Sequence, residues 1–172
     1  MSARTSVLRA SAAITLAALA CSAPAGAQSV ECRDLADDEA VVCEINHVRA
    51  ERGLGALAVD RRLRRAAVAH VRDMVSRRYF SHVTPEGKRL PDRLRASGYI
   101  TGRAAWHVGE GLAWGRRELS TPSATVAAWM RSAPHRRIVL GAFLEIGVGV
   151  ARGVPFGGRG ATYAADFGRL GG

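Results

Sequence analysis

The stretch IGVGVA at positions 146–151 indicates the fold more clearly than any other part of the sequence. It is a short run of β-branched and small residues, and a second β-rich run, ATYAADF, follows at positions 161–167. The segment 153–160 between them is rich in Gly and contains Pro, which is typical of a hairpin or a longer loop. These runs predict two late strands of a small, largely antiparallel sheet.

Helical patterns precede these strands. Asp37 and Asp38 are predicted to cap a helix that extends to about Arg52 and stops at Gly53. Asp60 is predicted to cap a second helix, whose apolar residues lie on one side and whose arginines lie mostly on the other.

Two shorter helices are expected further along the chain. Pro91 fits the first turn of a helix that ends near Gly98, and Thr121 with Pro122 predicts the start of a helix through Trp129 to about residue 132. Because helices come first and strands come late, the pattern predicts a mixed α/β domain in which helices cover the sheet.

The composition is that of a globular domain. A chain of 172 residues with 48% hydrophobic content is not disordered, collagen-like or a coiled coil. Its formal net charge of +10 is compatible with nucleic acid or an anionic membrane as a partner, yet Lys88 is the only lysine among the 25 basic residues. Such a preference for arginine is typical of a coding bias, and no nucleic-acid-binding motif occurs, so no specific nucleic acid partner is expected.

Residues 1–27 are predicted to be a signal peptide, followed by a tail over 28–39 and a domain over 40–170. The apolar run 10–20 is shorter than the roughly 20 residues that span a bilayer, and the small-residue run 25–27 provides a cleavage site before Gln28. The alternative is a lipoprotein acylated at Cys21, but Ala18 stands where a lipobox has leucine. No other apolar run approaches membrane-spanning length, so secretion or release into the periplasm is expected.

Two cysteines remain after the predicted cleavage. Cys32 and Cys43 form an even pair, which in an oxidising compartment favours a disulfide that ties the N-terminal tail to the first helix. The alternatives are two free thiols or a zinc site, and the zinc site is disfavoured because no second Cys or His pair lies nearby at ligand spacing.

Familiar catalytic motifs are absent from the sequence. It contains no Gly-x-Ser-x-Gly elbow, no phosphate-binding Gly-rich loop and no His-Glu-x-x-His helix, which argues against most common hydrolases and nucleotide enzymes. The residues that carry chemistry lie instead in scattered fragments, which are IN (45–46), RAER (49–52), FSH (80–82), GE (109–110), AWM (128–130), HR (135–136), EIGVGV (145–150) and DFG (166–168).

In this order, the fragments resemble the CAP superfamily of cysteine-rich secretory, antigen 5 and pathogenesis-related proteins, and most of all its bacterial branch of secreted SCP-like proteins. The resemblance covers about residues 40–168. It implies a single-domain, three-layer α-β-α sandwich with a cleft that carries histidines and glutamates.

The resemblance also implies which residues line this cleft. His82, Glu110 and His135 match the family's first histidine, its Gly-Glu glutamate and its second histidine. Ser132 stands where eukaryotic members have a second glutamate, and Glu145 belongs to the bacterial pattern as a carboxylate at a strand edge.

Other positions near the cleft depart from the pattern or add to it. Gly111 and Ile138 stand where relatives have asparagines, and the loss of those amides should remove hydrogen bonds that orient a ligand. His107 is an additional candidate, for which the expected role is an exposed loop residue. His70 is expected to be a core histidine, and Trp129 is expected to lie in the core.

The cleft is interpreted in two ways. His82 and His135 are candidate Zn²⁺ ligands, with Glu110 as a base or as the group that holds a water. Alternatively, the same three side chains form a buried hydrogen-bonded cluster that ties the helices to the sheet.

Two functions follow from these interpretations. The favoured one is a secreted, non-enzymatic module that binds an envelope or extracellular ligand, such as a lipid, an amphiphile, a glycan or a protein. The alternative is a zinc-assisted peptide or ester hydrolase that uses the same cleft, with Glu110 as its catalytic residue.

Overall fold

The computed structural model describes residues 31–102 and 105–171. The predicted signal peptide, its cleavage site before Gln28 and the lipoprotein cysteine Cys21 lie outside the described residues. Among the residues described, no helix is both long and apolar enough to cross a membrane.

The described residues form five helices and four strands. In chain order the helices are α1 (Asp37–Ala50), α2 (Arg61–Arg77), α3 (Leu90–Ala96), α4 (Pro122–Arg131) and α5 (Ala133–Val139). The strands are β1 (Ala58–Val59), β2 (Trp106–Gly115), β3 (Glu145–Arg152) and β4 (Ala161–Leu170), and short 3₁₀ turns span Cys32–Asp34 and Arg117–Ser120.

The sheet has the strand order β1-β3-β4-β2. Strands β2 and β3 both pair antiparallel to β4, and only the two-residue β1 pairs parallel, to β3. The predicted small, largely antiparallel sheet is therefore confirmed.

Helices cover both faces of this sheet. On one face, α2 and α3 pack in two apolar clusters whose largest buried members include Leu63, Met74 and Tyr99. On the other face, α1, α4 and α5 pack in a larger cluster around Trp129 and Phe167. This arrangement confirms the three-layer α-β-α sandwich.

Glycines allow α2 to lie directly on β3. A Cβ atom built on Gly147 would meet the backbone nitrogen of Arg64 at 2.0 Å, and one built on Gly149 would meet the Ala67 carbonyl carbon at 2.4 Å. Only a residue without a side chain permits this approach of helix to strand.

The buried Arg49 connects α1 to the end of α5. Its guanidinium donates to the carbonyl oxygens of Gly55, Val139 and Gly141, each at 2.9 Å. These bonds close the loop after α1 against a segment about 90 residues later in the chain. The first arginine of the RAER fragment therefore has a structural role.

The caps of the helices agree with most of the sequence predictions. Asp60 caps α2 by accepting hydrogen bonds from the backbone of Arg62 and Leu63, and Thr121 caps α4. For α1 the prediction is shifted by one residue, because Ala36 is the N-cap and Asp37 and Asp38 lie in the first turn.

Strands β1 and β2 and helix α5 are absent from the sequence predictions. Gly109, Gly111 and Gly115 interrupt the alternation of apolar side chains along β2, which conceals the strand. Helix α5 has only seven residues, and Ser132 ends α4 and caps α5 at the same time, so the two helices resemble one interrupted helix in sequence.

The predicted disulfide is present. The sulfurs of Cys32 and Cys43 are bonded, with a Cα–Cα distance of 5.6 Å, so the 3₁₀ turn is attached to α1. His47, one helical turn after Cys43, has its Nδ1 3.6 Å from the Cys32 sulfur. The structure thus brings a histidine to the pair that the sequence spacing did not reveal.

Candidate functional site

Glu110 lies in the middle of β2 with its side chain under the α2–α3 layer. It is directly opposite Asp166 of β4 in the strand register, and both residues are buried. Because β2 is the edge strand, side chains that approach from either face of the sheet can reach this point.

His82 brings the loop after α2 into contact with Glu110. Its Nδ1 lies 2.6 Å from Glu110 Oε2, and 57% of its side chain is exposed to solvent. His82 is therefore the accessible end of a pair whose other member is enclosed.

Arg93 of α3 binds the other oxygen of the same carboxylate. Its Nη2 forms an ion pair with Glu110 Oε1, and its Nη1 donates to the carbonyl oxygen of His82 at 2.8 Å. Burial by itself raises the pKa of Glu110, but the hydrogen bond with His82 and the positive charge of Arg93 bring that pKa below its ordinary value. Glu110 is thus ionised, and each of its carboxylate oxygens has a partner, His82 for Oε2 and Arg93 for Oε1.

His135 and Ser132 lie together at the junction of α4 and α5. The Nδ1 of His135 is 2.9 Å from Ser132 Oγ. Burial lowers the pKa of His135 first, and the positive charge of His82 lowers it further. The observed partner of the His135 ring is therefore the hydroxyl of Ser132.

Glu145 is engaged elsewhere on the same sheet. It begins β3, and its Oε2 accepts a hydrogen bond from the Tyr99 hydroxyl at 2.6 Å. Burial and then the charge of Glu145 raise the pKa of Tyr99. A role for Glu145 in the cleft stays a prediction, because the structure gives its carboxylate a partner beneath α2 and α3.

His70 and Asp166 complete the surroundings of Glu110. His70 is buried on α2, as predicted, with its Nε2 3.0 Å from the carbonyl oxygen of Ser81 and 4.0 Å from Glu110 Oε1. Burial and then the charge of Arg93 lower the pKa of His70, so its imidazole is neutral at pH 7. Burial and then the charge of Glu110 raise the pKa of Asp166 well above its ordinary value.

Three neighbours of Glu110 carry buried polar atoms that lack a hydrogen-bond partner. In the described part of the chain, the buried side-chain nitrogens and oxygens without a hydrogen-bond partner are His70 Nδ1, Arg93 Nε and both carboxyl oxygens of Asp166. Each belongs to a neighbour of Glu110, which is typical of a functional polar cluster in an otherwise apolar core.

Sequence reasoning missed Arg93 and Asp166 as members of this cluster. Asp166 offered a signal, since it is the one acid in the apolar run ATYAADF, and an acid in a central strand needs a partner. Arg93 offered none, because it is one arginine among many on helical surfaces.

The donor set only partly fits zinc. The Nδ1 atoms of His82 and His135 are held by Glu110 and Ser132, which leaves the Nε2 atoms as the available donors. In the described residues, the one group with three ligand atoms within 4.8 Å of one another is Cys32, Cys43 and His47, and its sulfurs form the disulfide. The cleft therefore offers two imidazoles, where zinc sites use three or four protein ligands, and zinc stays a prediction.

The positions that depart from the family pattern pack against the core. A Cβ on Gly111 would lie 3.3 Å from the Trp129 ring, and one on Gly109 would lie 3.1 Å from Ile138. Trp129 is buried, as predicted. The expected loop position of His107 is wrong, because this residue lies in β2 and stacks on Phe143 at 4.7 Å; it is exposed, as expected.

A comparison with family models matches residues 42–159 to CAP, the cysteine-rich secretory protein family. Two Bacillus subtilis proteins are similar to this chain. The uncharacterized protein YkwD is 35% identical over 113 residues, which cover 65% of this chain and 41% of that relative. The uncharacterized membrane protein YlbC is 34% identical over 108 residues, 62% of this chain and 29% of the relative. The chain thus spans less than half the length of these relatives.

Solved structures agree with this assignment. An extracellular protein from Bacillus anthracis that contains an SCP domain superposes with a TM-score of 0.62 and 27% identity, over 76% of this chain and 39% of the other. An outer surface protein from Borrelia burgdorferi superposes with a TM-score of 0.64 over 76% of this chain and 90% of the other, and at 19% identity it supports the fold alone. The family match covers more than half of the chain, and the fold agrees with it. This chain therefore belongs to the cysteine-rich secretory protein family, CAP.

Proposed function

We propose that this chain is an exported, non-enzymatic module that binds an envelope or extracellular ligand in the cleft beside His82 and His135. The observation that carries the proposal is the state of Glu110. This carboxylate is buried, ion-paired with Arg93 and hydrogen-bonded to His82. A carboxylate with a lowered pKa and both oxygens occupied is a poor general base, because its affinity for a proton is low and a substrate cannot reach it.

The arrangement suits binding in two respects. The buried Glu110 and Arg93 fix the orientation of the exposed His82 ring, and Ser132 does the same for His135. Rings held in place before binding lose little conformational entropy when a ligand hydrogen-bonds to them. The similar Bacillus anthracis protein, described as extracellular, supports a role outside the cytoplasm.

A zinc-assisted hydrolase is the second candidate, and one observation favours it. Both imidazoles are oriented through Nδ1, the arrangement in which a neighbouring group leaves Nε2 for a metal. Zinc held by His82 and His135 would supply Lewis-acid activation of a carbonyl. The chain itself supplies the orientation of the two rings, but a base other than Glu110 would be required.

The two functions are separated by one set of measurements on the purified protein. Zinc content, hydrolysis of peptide and ester substrates, and binding to lipid, glycan and protein arrays are measured for the wild type and for His82→Ala/His135→Ala. The control is His47→Ala, which removes an exposed histidine on α1, with the disulfide kept formed so that Cys32 and Cys43 cannot bind zinc. Binding that is lost in the double variant, kept in the control and unaccompanied by turnover supports the binding module.

Turnover that needs zinc and both histidines would contradict the binding module and support the hydrolase. Turnover that persists in the His82→Ala/His135→Ala variant would contradict the hydrolase. The binding module would be contradicted if the purified protein carries no bound ligand and captures none in any array.

A further inference from the structure

Four arginines meet at the end of the sheet where β2 and β3 finish and β4 begins. Arg116, Arg117, Arg152 and Arg159 line an open pocket of about 970 Å³. The rest of its lining consists of Ser120 and glycines of the β3–β4 loop. The strand register explains the convergence, since Gly115, Ala161 and Arg152 lie side by side at this end.

Little in the described structure balances this charge. Arg152 lies 3.4 Å from Asp37, but 87% of the Arg152 side chain is exposed to solvent. Arg116 donates to the carbonyl oxygen of Gly157 at 2.7 Å, which anchors the loop but leaves the charge in place. Within the part of the chain that the structure describes, the side chains of Arg117 and Arg159 make neither an ion pair nor a hydrogen bond. Like charges held together in this way favour an anionic partner.

The backbone at this site is also unusual. Arg117 has a φ of 51°, in the left-handed region that non-glycine residues rarely adopt. Strained backbone persists where the surrounding structure requires it, and it is often found at functional sites.

Exposed apolar side chains flank the arginines. Phe156 packs edge-on against Trp114, with 5.7 Å between their ring centroids. The exposed fractions are 63% for Phe156, 41% for Trp114 and 68% for Leu119, whose backbone covers Gly115. Large apolar side chains beside a cationic pocket are not needed to bind a soluble anion, but they match the interface between lipid headgroups and acyl chains.

We infer that this end of the sheet, the basic pocket with Trp114, Leu119 and Phe156, docks on an anionic lipid surface. The planar guanidinium groups match lipid phosphates in pairs of hydrogen bonds, while the apolar side chains enter the interfacial layer. The formal charge is +10 for the full chain and +8 without the two arginines of the predicted signal peptide, and this positive charge adds long-range attraction to such a surface.

The docking surface and the cleft are separate sites. Gly115 lies five residues beyond Glu110 on β2, which corresponds to roughly 17 Å along the strand. Docking therefore leaves His82 free to engage its own ligand, and each site can be disabled without the other.

Vesicle sedimentation tests this inference. The purified protein is mixed with vesicles of phosphatidylcholine alone or of phosphatidylcholine with phosphatidylglycerol, at increasing salt. We expect binding only to the anionic vesicles and weaker binding at high salt. Arg117→Gln/Arg159→Gln should lower the partition coefficient roughly 25-fold, at about fivefold for each charge near the surface.

The matched control is Arg61→Gln/Arg169→Gln, which removes the same charge from exposed positions at the opposite end of the sheet from the basic pocket. It should change binding by about twofold or less, because charges further than a Debye length from the membrane are screened. Near-UV circular dichroism checks that both double variants keep their tertiary structure.

A third double variant tests the apolar contribution. Leu119→Ser/Phe156→Ser should weaken vesicle binding but leave elution from a heparin column unchanged. Absence of wild-type binding to anionic vesicles, or equal loss in the two arginine variants, would overturn the inference. Vesicle binding that is insensitive to the apolar variant would assign the pocket to a soluble polyanion and would also overturn it.

Discussion

Asp166 is a fully buried acidic side chain. It lies in the central strand β4, and neither of its carboxyl oxygens has a hydrogen-bond partner. Glu110 stands opposite it and is held ionised by Arg93 and His82. Two adjacent carboxylates cannot both be charged in a buried site at small cost, so Asp166 holds the proton.

This assignment predicts that Asp166→Asn stabilises the protein as the pH rises. An aspartate with a raised pKa contributes stability below its unfolded value of 3.8, and that contribution is lost as the pH rises through the folded pKa. Asparagine does not ionise, so its advantage in the free energy of unfolding should grow by up to about 1.4 kcal/mol per pH unit above pH 4.

Chemical denaturation at several pH values measures this difference. The exposed Asp34→Asn is the control and should show no such trend. A stability difference between Asp166→Asn and the wild type that does not grow between pH 4 and pH 7 would show that the pKa of Asp166 is not raised in the folded state.

At the scale of elements, the contact between α2 and β3 determines how the cleft is built. Leu63, Ala67 and Met74 of α2 are fully buried on this side of the sheet, and His70 lies on the same helix. The close approach at Gly147 and Gly149 thus sets the height of His70 above Glu110. The alternation of Gly with Ile and Val in β3 was visible in the sequence. The sequence did not show that these glycines contact α2, because a glycine does not indicate which element packs against it or how closely.

Gly147→Ala is expected to lower the free energy of unfolding by about 2 to 3 kcal/mol. The added methyl group would overlap the backbone of Arg64 at 2.0 Å, and helix backbone cannot move aside as a flexible side chain can. Gly55→Ala is the matched control, since a Cβ there meets nothing within 4 Å and its φ is not in the left-handed region. Thermal unfolding compares the two variants, and equal stabilities would contradict the packing of α2 on β3.

At the scale of the whole molecule, the disulfide and Arg49 connect α1 to the rest of the chain. The disulfide attaches the 3₁₀ turn over Cys32–Asp34 to α1, and Arg49 attaches the other end of α1 to the C-terminal end of α5. Helix α1 is thereby fixed at both ends on the face of the sheet opposite to Glu110.

Cys32→Ser/Cys43→Ser should destabilise the protein by about 3 kcal/mol, because the bridge closes a loop of about 12 residues and restricts the unfolded chain. Denaturant unfolding of this variant and of the oxidised wild type measures the difference. Zinc is also added to the reduced wild type, to test whether a metal held by the two thiols and His47 replaces the bridge, since His47 is within reach of both sulfurs. An unchanged free energy of unfolding in the double serine variant would contradict a stabilising role for the bridge.

Features that depend on neighbours in the chain were determined by the sequence alone. Asp60 and Thr121 cap helices through the next few backbone amides, and the predicted removal of Cys21 left two cysteines to pair, so these predictions did not require the fold. The late strands and the order of His82, Glu110 and His135 were equally visible in the linear pattern.

The tertiary structure alone decided which of these residues meet. His70, Arg93 and Asp166 come from α2, α3 and β4 to surround Glu110 of β2, while Glu145 turns to Tyr99 and four arginines converge at the end of the sheet. Strand register and layer packing create these contacts between residues tens of positions apart. Sequence spacing records the periodicity of each element, but it does not specify how separate elements are packed together in space.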